Sequence, residues 1–222
     1  MTFDERVAAR YEAWYETPEG RRADGLEKAV LGWLLERVPR ASSVLEIGCG
    51  TGHFCRWLNR RGWAMVGLDL SAPMLAQARD LGGALLVQGN ALRLPFADDT
   101  FDVTAFITTL EFLTSPRQVL AEALRVARHG ILLGVLNRWS LLGLQRRWAG
   151  LFRPTTYDTA HFYSVGALKR LLRSAGGGQA RIVWRTTLFP RPWARAQLRL
   201  PWGGFIGMAL VSSPWVEKGE ER

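Results

Sequence analysis

Apolar residues follow two periodicities along the chain, and their alternation predicts a sheet whose strands are joined by helices. Short, nearly continuous apolar runs are typical of strands buried in a parallel sheet. Between these runs, apolar residues recur at helical spacing, as at Phe54, Trp57 and Leu58. Strands that alternate with helices indicate an α/β fold. The predicted strands cover residues 44–47, 64–70, 84–88, 101–107, 130–136, 180–187 and 205–211.

Two helices are predicted before the first strand. The first covers residues 4–16 and ends at the breaker Thr17-Pro18-Glu19-Gly20, and the second runs from about Asp24 to Val38. The aromatic side chains of Tyr11 and Tyr15 share one face of the first helix. They either line an active site as part of a lid or pack on the core as an ordinary helix face, and their spacing leaves both alternatives open.

The composition is that of an ordinary globular protein. The chain has 222 residues, of which 48% are hydrophobic and 22% charged, so a single α/β domain with a modest insertion is expected. No apolar run reaches the roughly 18 residues of a transmembrane helix. The N-terminus carries acidic residues and no apolar core, unlike a signal peptide, so a cytoplasmic location is expected. Cys49 and Cys55 form no metal-binding pattern, and no metal site is predicted.

The charge is unevenly distributed. The net charge is +9, but residues 1–111 have a balance of −3 and residues 112–216 a balance of +13. Nearly all of the cations are arginine, a bias that a GC-rich genome or a warm habitat also produces. A basic C-terminal half suggests an anionic substrate, a membrane surface or nucleic acid as a partner.

A glycine-rich turn follows the first strand, in the stretch Glu46-Ile47-Gly48-Cys49-Gly50-Thr51-Gly52. Glycine lets the backbone approach a ligand closely, and the start of the following helix offers free N–H groups. The dinucleotide fingerprint G-x-G-x-x-G/A needs a small residue at position 53, which is His53 here, and no Gly-Lys-Ser/Thr follows as in a P-loop. The turn is therefore typical of nucleoside binding without matching either phosphate motif.

An acidic residue, Asp69, ends the second strand 21 residues after Gly48. At this distance the next parallel strand returns beside the first, and a carboxylate there can accept hydrogen bonds from both ribose hydroxyls of a nucleoside. Ser71 is a good N-cap for the next helix. Asn90, in the turn after the third strand, has a side-chain oxygen that can also accept a hydrogen bond.

The stretch from Glu46 to Gly52 resembles motif I of the class I S-adenosylmethionine-dependent methyltransferases, in particular those similar to the type 11 group. Asp69, the turn Gly89-Asn90-Ala91, the connector from Leu94 to Asp102 and the tip Leu110-Glu111-Phe112 follow in the family's order. The resemblance implies a doubly wound, Rossmann-like seven-stranded sheet of order 3-2-1-4-5-7-6 with strand 7 antiparallel. It also implies one domain, 1–216, with a helical lid at 1–40, an insertion or cap at 137–163 and a flexible tail at 217–222.

The resemblance further implies S-adenosyl-L-methionine as the cofactor. Glu46 is expected to hold its methionine portion, Asp69 its ribose, and Asn90 its adenine, with Leu70 and Met74 against the adenine ring. The candidate catalytic residues are Glu111, His161 and Tyr15. The full set of expected cofactor-binding residues is Glu46, Gly48, Cys49, Gly50, Gly52, Asp69, Leu70, Met74, Asn90, Ala91, Leu92 and Thr108.

The acceptor is less well indicated. The tip of the fourth strand lacks the Asn/Asp-Pro-Pro-Tyr/Phe motif of base methyltransferases, so a small-molecule or amphipathic acceptor is expected, and nucleic acid is not. The basic, amphipathic segment 138–153 is either a helix packed on the core or a peripheral membrane contact. A monomer or a homodimer is expected. Two alternatives stay open: a cofactor-binding interaction module without catalysis, and an NAD-dependent oxidoreductase.

Overall fold

A computed structural model describes residues 12–138, 160–178, 180–189 and 196–212. Its seven strands form one sheet of order β3-β2-β1-β4-β5-β7-β6, which confirms the predicted order. The first five strands pair in parallel, and β7 pairs antiparallel with both β5 and β6. The strands are β1 (Ser43–Ile47), β2 (Ala64–Asp69), β3 (Leu85–Gln88), β4 (Phe101–Ile107), β5 (Ala127–Leu136), β6 (Arg181–Thr187) and β7 (Phe205–Val211).

Helices cover both faces of this sheet. Residues 12–15 are also helical, and Leu110–Phe112 form a single 3₁₀ turn after β4. One face of the sheet packs against α4 and α5, the other against α1, α2 and α3. The helices are α1 (Pro18–Leu35), α2 (His53–Arg60), α3 (Ala72–Leu81), α4 (Pro116–Val126) and α5 (Val165–Leu172).

The alternation of side chains along β4 explains how the two layers of core form. Every residue of β4 is buried. Phe106 packs among the residues of α4 and α5, whereas Val103, Ala105 and Ile107 pack on the opposite face against α1 and α2. Because successive side chains of a strand point to opposite faces, a strand that is buried along its whole length must lie between two covering layers.

Helix α1 begins earlier than predicted, at Pro18 rather than Asp24. The side chain of Thr17 accepts a hydrogen bond from the backbone N–H of Gly20, and Pro18 occupies the first helical position, where its missing N–H is not needed. The predicted break at residues 17–20 is thus the cap of a new helix. Helix α5 ends at Leu172, and a wider helical turn, Arg173–Gly177, follows it.

The other predicted bounds that fall within the described residues agree with the structure to within three residues, whereas the predicted start of the first helix at residue 4 lies outside them. Most of the expected insertion 137–163, the basic segment and the tail lie outside the described residues. Among the residues that the structure describes, no helix combines the length and the apolar character needed to cross a membrane.

Candidate cofactor and acceptor site

The glycine-rich loop lies at the carboxyl end of β1, beside the ends of β2 and β4. The N–H groups of Gly48 and Cys49 both donate to the carbonyl of Leu68 in β2, at 2.7 and 3.1 Å. The N–H of Gly50 donates to Oδ2 of Asp69 at 2.8 Å. The loop is therefore fastened to the end of β2, and the ends of parallel strands are where ligands bind in open α/β sheets.

Two of the loop glycines differ in what surrounds them. Gly48 has a φ of +74°, and a Cβ there would lie 2.1 Å from Cγ2 of Thr109, so no other residue fits without displacing the tip of β4. Gly50 has a φ of +54°, and a Cβ there would meet no atom within 4 Å. The space beside Gly50 is therefore open, and this surface is accessible to a ligand.

Asp69 holds two backbone segments together. Its Oδ2 accepts the N–H of Gly50, and its Oδ1 accepts the N–H of Ser71 at 2.8 Å. Each carboxylate oxygen has a second lone pair, so both oxygens can accept a further hydrogen bond. The side chain is half-buried, and the geometry therefore allows the ribose contacts that the sequence predicts.

Exposed apolar side chains occur in the residues that follow β2 and β3. Leu70 is 68% exposed and Leu92 is 42% exposed. Asn90, in the turn after β3, is also exposed, and its Oδ1 accepts the N–H of Leu92 at 2.9 Å. Met74, the remaining predicted adenine contact in this region, is only 3% exposed and packs below this surface.

Glu46 lies beneath the loop. It is 1% exposed, and its Oε2 accepts the thiol hydrogen of Cys55 at 2.9 Å. Burial raises the pKa of Glu46 to about 7, although the Cys55 hydrogen bond and the charge of His53 oppose the shift. The neighbouring carboxylate of Asp69 adds to it. The side chain of Cys49, a residue of the loop itself, is also buried and only 5% exposed.

The tip of β4 places Glu111 against the end of β5. Its Oε1 accepts the N–H of Leu136 at 2.7 Å, whereas its Oε2 is buried and has no hydrogen-bond partner among the described residues. Burial raises the pKa of Glu111 to about 7. Thr108, also at the tip, has a φ of +50° and donates its N–H to the carbonyl of Gly134 at 2.7 Å.

The segment after the insertion returns to the same place. His161 donates its N–H to the carbonyl of Glu111 at 2.7 Å, and its exposed ring lies 4.8 Å from the ring of Tyr163. Burial and the charge of Glu111 raise the pKa of Tyr163 to about 12. The structure thus brings the candidate residues Glu111 and His161 together, 50 residues apart in the chain.

The N-terminal helical segment lies against the glycine-rich loop. Tyr15 is 7% exposed, and its ring is stacked on that of His53 at a centroid distance of 3.6 Å and an interplanar angle of 7°. Glu12 accepts hydrogen bonds from the hydroxyl of Thr51 and from Nη2 of Arg56. Tyr11, the other aromatic residue considered for a lid, lies outside the described residues.

The polar contacts around His53 were not predicted from the sequence. In the sequence, His53 stands out only as the residue that breaks a dinucleotide fingerprint. Its Nε2 lies 2.7 Å from Oδ1 of Asp24, and Asp24 also pairs with Lys28 at 2.6 Å. The spacing of Asp24 and Lys28, four residues apart in a helix, was the available signal for an ion pair. Nothing in the local pattern indicates that a loop histidine joins it.

Comparison with known proteins agrees with this geometry. A family model described as a methyltransferase domain matches residues 45–134. An S-adenosylmethionine-dependent methyltransferase of Thermotoga maritima has a similar structure, with a TM-score of 0.77 and 29% identity over 94% of this chain and 97% of that one.

Three curated relatives extend the comparison. An uncharacterised protein of Mycobacterium tuberculosis is 35% identical over 97% of this chain and 74% of its own. A malonyl-[acyl-carrier protein] O-methyltransferase of Pectobacterium atrosepticum is 37% identical over 53% of this chain and 49% of its own. A ubiquinone/menaquinone biosynthesis C-methyltransferase of Roseobacter denitrificans is 32% identical over 68% of this chain and 59% of its own.

The chain belongs to the class I S-adenosylmethionine-dependent methyltransferases. Its fold, the strand order and the cofactor implied by the sequence resemblance are thereby confirmed. Membership of this family also removes the NAD-dependent oxidoreductase alternative.

Proposed function

We propose that this protein transfers the methyl group of S-adenosylmethionine to a small-molecule or amphipathic acceptor. The observation that carries the proposal is the surface at the carboxyl ends of β1 and β2. There the open space beside Gly50, the carboxylate of Asp69 and the exposed side chain of Leu70 lie next to one another along two paired strands. Polar acceptors beside an exposed apolar side chain fit a ribose joined to an aromatic base.

Each part of the cofactor finds chemically suitable groups. The oxygens of Asp69 accept hydrogen bonds from the ribose hydroxyls, and Oδ1 of Asn90 accepts one from the adenine amino group. Leu70 and Leu92 contact the faces of the base, which buries apolar surface that is otherwise exposed. Gly48, Cys49, Gly50 and Gly52 provide the backbone floor, and Ala91, Met74 and Thr108 complete its surroundings.

Glu46 is suited to the cationic amino group of the methionine portion. A buried carboxyl whose pKa is near 7 ionises readily when a cation approaches, because the opposite charge offsets the penalty of burial. We therefore expect cofactor binding to lower the pKa of Glu46. The cofactor itself supplies a methyl group already activated by its bond to a sulfonium sulfur.

On the acceptor side, Glu111, His161 and Tyr15 remain the candidate catalytic residues. Glu111 is the best placed of them for proton transfer, because its Oε2 lacks a partner in the described structure and its pKa is close to neutral pH. Holding the acceptor in line with the methyl group provides the rest of the rate enhancement. The lid around Tyr15 excludes water from the reacting groups.

The class of acceptor is inferred from charge and from the relatives. One relative is a malonyl-[acyl-carrier protein] O-methyltransferase and another is a C-methyltransferase of ubiquinone/menaquinone biosynthesis, as their names state. In this chain, the described parts of residues 160–212 carry six cations and no acidic residue. These features support an acceptor that is apolar and is presented by an anionic carrier or surface. The six cations are Lys169, Arg170, Arg173, Arg181, Arg185 and Arg199.

The proposal is tested in two steps. Calorimetric titration with S-adenosylhomocysteine should show binding, and no binding would overturn the assignment of the site. Transfer of a radiolabelled methyl group from S-adenosylmethionine is then measured on a panel of fatty acyl thioesters, quinols, phenols and amines. Binding without transfer to any member of the panel would favour an interaction module that has lost catalysis.

The expected peripheral membrane contact of residues 138–153 has its own test. Sedimentation with anionic liposomes at low and high salt should show retention at low salt that high salt abolishes, because exposed charges are screened. Equal sedimentation with neutral liposomes would contradict an electrostatic contact.

A further inference from the structure

Five ionisable side chains lie between the N-terminal helical segment, helix α1 and the start of α2. We call them the lid cluster: Glu12, Asp24, Lys28, His53 and Arg56. Their side chains are between 12% and 25% exposed. Removing so many charged groups from water is unfavourable, and such clusters are retained where they fix an arrangement that apolar packing leaves undefined. The proposed catalytic roles do not use the lid cluster.

His53 lies at the centre of the lid cluster because each ring nitrogen faces a different element. Its Nε2 is 2.7 Å from Oδ1 of Asp24 in α1, and its Nδ1 is 3.9 Å from Oε2 of Glu12 in the N-terminal segment. The ring of Tyr15 stacks on the face of the His53 ring. His53 itself is the first residue of α2, directly after the glycine-rich loop.

The same N-terminal segment is also tied to the loop. Glu12 accepts hydrogen bonds from the hydroxyl of Thr51 and, at 2.9 Å, from Nη2 of Arg56. Nη1 of Arg56 donates in turn to the carbonyl of Thr51. Because Thr51 directly follows Gly50, movement of the Glu12–Tyr15 segment and exposure of the proposed cofactor floor are mechanically linked.

His53 has two bonding states that differ in what they hold. When the ring is protonated, Nε2–H donates to Asp24 and Nδ1–H points to Glu12, so both carboxylates are attracted. When the ring is neutral, only one nitrogen carries a hydrogen. Nζ of Lys28 lies 2.9 Å from Nε2, and its ammonium can then donate to this nitrogen, which leaves Asp24 to Lys28 alone. The protonation state of His53 therefore decides whether its ring joins α1 to the Glu12–Tyr15 segment.

We propose that His53 is a positioning residue that fastens the Glu12–Tyr15 segment over the cofactor loop when its ring is protonated, so that cofactor is retained less well as the pH rises. The inference rests on the proposed function, because it takes the loop to be the cofactor floor.

The charges around His53 set the direction of this effect. Burial lowers the pKa of His53 and Lys28 does so too, but the hydrogen bonds with Asp24 and Glu12 raise it above the ordinary value of 6.5. Because the fastened state binds the proton more tightly, fastening is favoured at low pH and is lost as the pH rises through the raised pKa. Glu46, buried nearby, interacts with His53 and titrates at about pH 7, so variants of His53 are needed to separate the two groups.

The experiment measures binding of S-adenosylhomocysteine to the full chain by calorimetry at pH 6.0, 7.0 and 8.5. The ratio of the wild-type affinity to that of His53→Gln should fall about tenfold over this range, because only the wild type loses the protonated ring that fastens the segment. His53→Gln, which keeps a polar side chain but does not titrate, should bind more weakly at pH 6.0 and should gain affinity as the pH rises, because the ionisation of Glu46 strengthens cofactor binding. Asp24→Asn should behave in the same way.

His129 provides the matched control. It lies 3.9 Å from a carboxylate, Asp102, but at the opposite end of the sheet. His129→Gln should keep the wild-type pH dependence. Hydrogen–deuterium exchange over Glu12–Tyr15 gives a readout without ligand: wild type should exchange faster at pH 8.5 than at pH 6.0 after correction for the intrinsic rate, and His53→Gln should exchange fast at both.

Several results would overturn the inference. A pH dependence in His53→Gln equal to that of wild type would show that His53 is not the titrating group. Uniformly weaker binding with unchanged exchange of the lid would make His53 a structural residue of the loop. If wild type binds S-adenosylhomocysteine at no pH, the proposed site fails as a whole, whereas binding by wild type with no difference between the variants removes only the role of His53.

Discussion

The two ends of the sheet use carboxylates in different ways. At the amino end, Asp102 is 5% exposed, and its Oδ2 accepts hydrogen bonds from the backbone N–H groups of Ser42 and Ser43 and from the hydroxyl of Ser42. Its Oδ1 accepts one from Arg128 at 2.5 Å. At the carboxyl end, Asp69 has one donor on each oxygen, and Oε2 of Glu111 has none in the described structure.

This difference in hydrogen bonding distinguishes carboxylates whose oxygens are filled by donors of the protein from carboxylates that can still accept a hydrogen bond from a ligand. The donors around Asp102 come from the chain itself and leave little capacity for a ligand. A groove of about 500 Å³ opens near this end, but its charged groups Glu36 and Arg61 pair with one another at 2.6 Å. At the carboxyl end, acceptor capacity remains at several carboxyl groups. A buried polar atom without a partner is unfavourable, so Oε2 of Glu111 supports the carboxyl end as the proposed binding end.

The largest effect is expected at the amino end of the sheet, where hydrogen bonds from the protein fill the oxygens of Asp102. Asp102→Asn should destabilise the fold by about 4 kcal/mol, because an amide accepts less strongly and its NH₂ faces donors. Affinity for S-adenosylhomocysteine should stay unchanged at temperatures where the variant is folded. Chemical denaturation and calorimetry measure the two quantities. A loss of affinity with little loss of stability would contradict the structural role.

The pH dependence of Asp102 should also differ from that of the site. Burial alone would raise its pKa, but the hydrogen bonds from Ser42 and Ser43 hold the pKa well below the usual value of 3.8. A lowered pKa contributes stability above about pH 4 that is lost as the pH falls below it. Asp102→Asn should therefore reduce the loss of stability between about pH 4 and pH 2.

The contribution of Glu111 to stability should change with pH in the opposite direction. Its pKa is raised from 4.5 to about 7 by burial, so the folded state binds its proton more tightly than the unfolded state. Stability should therefore fall by about 3 kcal/mol as the pH rises from 4.5 through 7. Glu111→Gln should remove this decline while Glu46 contributes equally to both proteins. Urea denaturation at pH 5 and pH 8 measures the difference.

Glu122→Gln is a matched control for Glu111→Gln, because Glu122 is paired with Arg125 and its pKa is lowered rather than raised. Should Glu111→Gln keep the wild-type decline between pH 5 and 8, the carboxyl is not the group that titrates. In the methyl-transfer assay, Glu111→Gln should lower the rate at every pH without changing cofactor affinity, as expected for a proton acceptor.

Asp69 tests the open end directly. Asp69→Ala should weaken binding of S-adenosylhomocysteine by about 2 kcal/mol, roughly thirtyfold, because hydrogen bonds to a charged acceptor are lost and Gly50 is released. Asp80→Ala, which removes an exposed carboxylate from the last turn of α3, should change affinity by less than about twofold. Equal affinities for Asp69→Ala and wild type would show that the ribose binds elsewhere.

The smallest expected effect compares two exposed leucines. Leu70 is 68% exposed at the carboxyl end of β2, and Leu85 is 73% exposed at the amino end of β3. Leu70→Ser should weaken cofactor binding about fivefold, or about 1 kcal/mol, through lost apolar contact with the base. Leu85→Ser should leave it unchanged, and similar effects of the two substitutions would deny Leu70 a contact with the base.

Much of the proposed cofactor site could be predicted because it is encoded locally. Gly48, Gly50 and Asp69 lie within 22 consecutive residues, each at the end of a strand that the apolar pattern defines. The rule that parallel strands end at the same edge then places them together without further information. The β-strand bounds followed for the same reason, since an apolar run is a property of neighbours in the chain.

The acceptor side could be predicted only as a list of candidates. Glu111 and His161 are joined by a backbone hydrogen bond, and Glu111 reaches Leu136 on another strand. These contacts link segments separated by 50 and 25 residues, and the periodicity of apolar residues does not predict contacts over such distances in the chain. The contacts of His53 were missed for the same reason, because its partners Asp24 and Glu12 come from two other elements.

The sequence by itself determined the fold family, the order of the strands and the identity of the cofactor through its resemblance to a known family, and the motifs that carry this resemblance are residue types at short, regular spacing. Only the tertiary structure decided which carboxyl groups are saturated and which are left with acceptor capacity. Protonation and hydrogen bonding depend on burial and on partners brought together from distant parts of the chain. For this reason Asp69 and Asp102, both acids near strand ends, differ in how many hydrogen bonds the protein itself donates to them.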